Sequence, residues 1–141
     1  MSVEMTIVYE GGLRCRATHG PSRVELVTDA PVDNHGKGES FSPTDLVGTA
    51  LGACILTTMA IVAERNQLDL TGTTVRVVKE MVTQPVRRIG ALRVTLAVPA
   101  EKAAKLTESD REKLTHAAEH CPVHRSLHPD VAAPIAISWA G

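Results

Sequence analysis

The sequence predicts one α+β domain spanning residues 1–141, with its elements in the order βββ-α-ββ-αα-β. Three observations carry that expectation. Short β-like stretches separated by glycine and proline turns open the chain. A long apolar run follows, starting at helix-capping residues. A hairpin-like pair of strands then precedes an apolar stripe at helical spacing.

The opening strands are expected at Met5–Tyr9, Leu13–His19 and Arg23–Thr28, parted by Gly11-Gly12 and Gly20-Pro21. Alternation in the second puts Leu13, Cys15 and Ala17 on one face and Arg14, Arg16 and Thr18 on the other. Residues Pro31 to Ser40 are polar and rich in turn formers, which reads as an exposed loop. Ser42-Pro43-Thr44-Asp45 then supplies an N-cap serine, a proline at the first helical position and an acid at the third. The helix it opens should reach about Gln67 and measure roughly 36 Å. Being apolar almost all round, it is expected to be buried on several sides. Gly48 and Gly52, one turn apart, would admit a close neighbour.

A hairpin is expected from Thr73–Val82 and Ile89–Val98, joined through Gln84-Pro85. In its second strand Leu92, Val94, Leu96 and Val98 alternate with Ala91, Arg93, Thr95 and Ala97, the pattern of a half-buried strand. Pro99 ends it. The next helix should start at Thr107, with Leu114, Ala117, Ala118 and Cys121 as its core stripe. Pro122 interrupts it, Val123–Leu127 makes a short separate helix, and Pro134–Trp139 makes a last strand.

Composition narrows the function classes. Fifteen Lys and Arg balance 16 Asp and Glu for a formal charge of −1, which removes the electrostatic case for nucleic acid or an anionic membrane. With one Phe, one Tyr and one Trp there are no stacking platforms for bases. Leu46 to Ala63 carries no charge, yet its threonines and the lack of basic residues before it favour a buried core helix over a membrane span. The start of the chain shows no basic stretch followed by an apolar run. With three cysteines, an odd and sparse set, this predicts cytoplasmic thiols rather than secreted disulfides.

The thiols carry the chemistry. Cys54 lies within the apolar helix, and Cys121 immediately before Pro122 and a short helix. At the N-cap of that helix, Cys121 would face unpaired N–H groups that favour thiolate. Two thiols on apolar helix faces can meet in a core, and a thiol that reacts with peroxide beside one that attacks its sulfenic acid is the chemistry of a two-cysteine peroxidase. An apolar helix disfavours thiolate, so a cation is needed; Arg14 and Arg16 are the available candidates. His116, His120 and His124 recur every fourth residue, but Pro122 interrupts them and no acidic ligand has a suitable spacing, so a metal site is not favoured. No phosphate-binding glycine loop, nucleophile elbow or dinucleotide fingerprint is present, and no cofactor is expected.

The run from Ser42-Pro43-Thr44-Asp45 through Cys54 resembles the signature of the OsmC/Ohr family, and Cys121-Pro-Val-His-Arg-Ser-Leu resembles its second cysteine motif. The resemblance covers essentially the whole chain and is nearest the less characterised OsmC-like branch. It implies an intertwined homodimer around long buried central helices. It also implies thiol-dependent reduction of organic hydroperoxides, with an external dithiol as reductant. Cys54 would be the peroxidatic thiol, Cys121 the resolving one, and Arg14 the group that holds the thiolate and orients peroxide. Well-studied members carry a glutamate directly after the proline, where this chain has Thr44. Asp45 and Glu39 are the nearby acids that can contribute a polar shell, Asp45 also suiting the helix cap. Cys15 has no counterpart and is read as structural. That missing glutamate keeps a second reading open, a small-molecule binding protein of the same fold with little or no turnover, its apolar cavity left by small residues along the helix.

Overall fold

A computed structural model describes all residues, Met1–Gly141. They form two compact units, Met1–Val47 and Gly48–Gly141.

The first unit holds an antiparallel sheet in the order β1 (Met5–Gly11), β2 (Arg14–His19), β3 (Glu25–Asp29). The β1–β2 turn places Gly11, Gly12 and Leu13 at φ of 86°, 60° and 62°, the left-handed region that glycine enters freely and leucine only at a steric cost. Leu13 therefore belongs to the turn. Register sets Arg14 opposite Asp29, so the third strand runs one residue beyond the expected Thr28. The segment after it contains a single 3-10 turn at Val32–Asn34 and leads to the capping residues of α1 (Pro43–Arg65). Ile7, Val8, Tyr9 and Leu26 of this sheet are exposed in the single chain.

The second unit is built on β4 (Thr74–Val82), β5 (Arg88–Ala97) and β6 (Ile135–Ser138). Strand β5 is central, antiparallel to β4 and parallel to β6, and the β4–β5 connection carries a cis Gln84–Pro85 bond. The predicted alternation faces the core, with Leu92, Val94, Leu96 and Val98 all buried. Helix α1 lays a stripe of Leu51, Gly52, Ile55, Met59 and Ala63 inward, with Gly48 and Gly52 against Val75, Val77 and Leu92 of the sheet.

That stripe corrects one expectation. Within the single chain α1 is not buried on several sides: Thr49, Ala50, Ala53, Thr57 and Ile61 are exposed. One sheet can cover only one face of a helix, and an all-round apolar sequence does not reveal what covers the other. By length and composition α1 could also span a membrane; its packing against β4 and β5 is that of a core helix.

A one-turn helix, α2 (Ala100–Ala103), was not anticipated; Pro99 starts it, and four residues are too few to show periodicity. Helix α3 (Glu108–Glu119) begins with a reciprocal capping box between Thr107 and Asp110. It buries Leu114, Ala117 and Ala118 as expected, and α4 (Pro122–Ser126) follows.

Candidate active site

Each unit contributes one group of the residues singled out in the sequence. In the first unit the two arginines on one face of the central strand β2 separate clearly. Arg16 spends its charge on Glu10 at 3.0 Å and Glu25 at 3.3 Å, carboxylates on the flanking strands. Arg14 grips Asp29 side-on, Nε donating to Oδ1 at 2.7 Å and Nη2 to Oδ2 at 2.8 Å. Asp29 has no solvent exposure. Its Oδ2 also accepts the backbone N–H of Glu39 at 3.1 Å. These bonds, the guanidinium first, hold the Asp29 carboxyl below the ordinary carboxylate range, and the same pair raises Arg14 further above its ordinary value.

Glu39 itself lies 3.9 Å from Arg14 Nη2 with its side chain largely in solvent. Asp45 is in the helix cap: its Oδ2 accepts the Ser42 N–H at 2.9 Å while Ser42 Oγ accepts the Asp45 N–H at 3.1 Å. Ser42 is buried, and its Oγ also lies 3.2 Å from Thr44 Oγ1. Sequence reasoning missed Asp29. The signal for it was a carboxylate, a poor strand former, one position past the apparent strand end and in register with Arg14.

In the second unit Cys54, half-buried on α1, is a neighbour of Cys121, which is fully buried. The two thiols are unlinked. Cys121 is the N-cap of α4, its sulfur accepting the His124 N–H at 3.3 Å, with the Val123 N–H directed to it as well. Pro122 at the first helical position sets up this arrangement by leaving the next two N–H groups to face the sulfur. The N-cap expectation holds, but its effect on acidity does not dominate. Burial pushes the Cys121 thiol up, the neighbouring Cys54 adds to the rise, and the two N–H donors offset only part of it.

The histidines make no common site. His116 and His120 stack with ring centroids 4.1 Å apart, and His120 Nδ1 bonds the His116 carbonyl at 2.7 Å. His124 meets Cys121 through its backbone. No group of three His, Cys, Asp or Glu side chains is arranged to hold a metal ion. Cys15 pairs in register with Tyr9 and Thr28 on the sheet face opposite Arg14.

A mixed α+β chain with paired thiols on a long helix and a short N-capped one defines a class of thiol proteins. Comparison gives that class its family. The model of the OsmC-like protein family matches residues 36–134, a span that includes both Cys54 and Cys121, and the chain belongs to that family. A Psychrobacter arcticus 273-4 protein named for osmotic stress induction and a detoxification response is 39% identical; the match covers 95% of this chain and 94% of that one, with a TM-score of 0.87. The Legionella pneumophila organic hydroperoxide resistance protein OsmC is 16% identical over 98% and 97% of the two chains, with a TM-score of 0.75. A Vibrio cholerae O1 biovar eltor protein named for organic hydroperoxide resistance, with captopril bound in one of its active sites, is 16% identical over 97% and 91%, with a TM-score of 0.73. The last two likenesses are of fold. No curated protein gives a significant match.

Proposed function

We propose that this protein is a cytoplasmic thiol peroxidase that reduces organic hydroperoxides through Cys54 and Cys121. The observation that carries the reading is the meeting of a half-buried thiol with a fully buried one at a helix N-terminus. The names of the Legionella and Vibrio structures agree with it.

In the proposed cycle the Cys54 thiolate attacks the terminal oxygen of ROOH. The O–O bond breaks, RO⁻ takes a proton and leaves as alcohol, and Cys54 becomes a sulfenic acid. Cys121 then attacks the Cys54 sulfur; an S–S bond forms, and the departing hydroxyl leaves as water with the Cys121 proton. A dithiol reduces the disulfide by two exchange steps, returning both thiols and leaving oxidised as a disulfide itself. Arg14, held by Asp29, is the cation assigned to steady the thiolate and peroxide; Glu39 and Asp45 supply the polar shell. We assign a second copy of the chain as partner, because the exposed apolar residues of β1 and α1 (Ile7, Val8, Tyr9, Ala50, Ala53 and Ile61) suit an interface within a homodimer.

One stoichiometric dose of an organic hydroperoxide should lower the mass by two protons and give a Cys54–Cys121 linked peptide in mass spectrometry. Turnover with a dithiol should vanish in Cys54→Ser. A protein that stays reduced, or oxidises only at Cys15, overturns the reading. Thr44 beside a fully engaged Asp45 cap motivates the alternative of a binding protein, which retained ligand without hydroperoxide turnover would establish.

A further inference from the structure

Helix α4 is only five residues long, and so short a helix does not hold itself in water. No residue from Pro122 to Asp130 is buried, so packing contributes little to keeping it in place. The segment is pinned at its two ends instead. Beyond it Ala132 bridges to β5, its N–H donating to Gly90 O at 3.0 Å and its carbonyl accepting the Leu92 N–H at 2.8 Å. Before it stands Cys121, which has no solvent exposure. Pro122 has no N–H to satisfy, and the Arg125 N–H reaches Cys121 O at 3.1 Å. The N–H groups of Val123 and His124 remain, and both turn to one atom, the Cys121 sulfur, His124 at 3.3 Å. Sulfur is a weak acceptor, so the start of α4 hangs on an attachment that thiol chemistry can change. The other bonds of the turn, Ser126 Oγ to Pro122 O at 2.8 Å and Leu127 N–H to His124 O at 3.4 Å, lie within the segment and tie it to nothing else.

We infer that α4 is a redox latch, closed while Cys121 is a thiol and released when Cys121 is bonded to Cys54. This rests on the pairing of those two thiols given above. Cys54 lies inside α1, a helix of 23 residues packed on β4 and β5, which holds its backbone in place. Cys121 lies in extended backbone between two helices, at φ −73° and ψ 149°. Drawing two unlinked sulfurs into a covalent bond therefore displaces Cys121 rather than Cys54. Its sulfur leaves the Val123 and His124 N–H groups, which turn to water, and the turn loses its N-terminal hold. The release has a use. A dithiol must reach a sulfur to reduce the disulfide, and Cys121 has no solvent contact in the reduced protein. An open α4 uncovers that sulfur while there is a disulfide to reduce, and a closed one shields it once the thiols return.

The test makes the disulfide with diamide, which takes one hydrogen from each of two thiols and leaves as the hydrazine, in the full-length protein. Arg125 is exposed and lies within α4, so trypsin cleavage after it reads the turn directly. Mass spectrometry should find that cleavage about tenfold faster in the oxidised protein, the scale on which loss of a local anchor raises an open population. Cleavage after Arg65 and Arg76, in the same unit, should not change. The carbon-13 Cα shifts of Pro122–Ser126 should move from helical to coil values. Cys121→Ala removes the latch without oxidation and should be cleaved fast after Arg125 while reduced. Cys121→Ser keeps a capping oxygen and cannot form the disulfide, so it should stay closed with or without diamide. Cleavage and shifts unchanged in the Cys54–Cys121 disulfide overturn the inference, as do equal acceleration at all three arginines or diamide that leaves Cys54 and Cys121 unlinked. Diamide needs no hydroperoxide, so the two readings fail separately. An α4 that opens in the disulfide without hydroperoxide turnover keeps the latch and refutes the peroxidase; turnover with α4 closed in both forms does the reverse.

Discussion

Gly48→Ala and Gly52→Ala are the same chemical change, one turn apart on one face of α1, yet they should move stability in opposite directions. Each replaces an interior helical glycine and so gains about 1 kcal/mol in helix propensity. At Gly48 a new methyl would stand 3.4 Å from Leu92 Cδ2 and 3.5 Å from Val77 Cγ1, ordinary contact distances. Nothing has to move, and the propensity gain survives. At Gly52 it would stand 2.9 Å from Val77 Cγ2 and 3.2 Å from Val75 Cγ1. Both valines are β-branched residues of β4, stiff at χ1, so they cannot swing aside as a longer side chain would. Overpacking of this kind costs about 1–3 kcal/mol, which exceeds the gain and leaves Gly52→Ala roughly 1 kcal/mol less stable than the parent. The two variants should then differ by about 2 kcal/mol, or roughly 7 °C in Tm for a chain of this size. Urea and thermal unfolding followed by circular dichroism would read this, with all proteins at one concentration because association shifts apparent stability. If Gly52→Ala proves as stable as Gly48→Ala, α1 does not pack on Val75 and Val77 as described.

Cys121→Ser should still let hydroperoxide oxidise Cys54, trapped by dimedone as a sulfenic acid adduct, while the two-proton mass loss disappears; a disulfide through Cys15 instead would contradict the pairing. Thr107→Ala removes the α3 capping box and should cost about 1 kcal/mol in urea unfolding. Asp29 sits below its unfolded acidity, so the stability it contributes is present above about pH 4 and lost as pH falls through the lower folded value. Asp29→Asn should therefore flatten the loss of stability between pH 5 and pH 2, but only in part. Asp69, Glu80 and Asp110 are shifted in the same direction and keep their own share. An acid profile unchanged by Asp29→Asn would refute the pairing with Arg14.

What could be read from the sequence was local. The Ser42–Asp45 cap, the alternation through Leu92, Val94, Leu96 and Val98, and the Leu114–Ala117–Ala118–Cys121 stripe are patterns of two to four residues, and each stands where its period put it. Features set by partners distant in sequence were not legible. The parallel pairing of β6 with β5 has no local signature, and the bare face of α1 is invisible in a run that is apolar all round. Asp29 shows the difference most sharply. Its neighbours mark a carboxylate at a strand end but not its loss of water, because its bonding partners are Arg14 across the ladder and the Glu39 N–H beyond a turn.

The asymmetry between the two thiols gives the proposed cycle its order. A thiol that must meet hydroperoxide has to be reachable, and of the pair only Cys54 is even partly exposed. Cys121 is shut away and its proton is held more tightly than usual, which protects it from oxidation while it waits. That protection does not block its own step. Attack on a sulfenic acid releases hydroxide equivalents, so the proton Cys121 must give up is consumed at the sulfur it attacks. The His124 and Val123 N–H groups already point at the sulfur that gains negative charge on the way, as preformed donors rather than groups that must reorganise. Exchanging the roles would need the buried thiol to meet the substrate first, through a position that has no solvent contact at all.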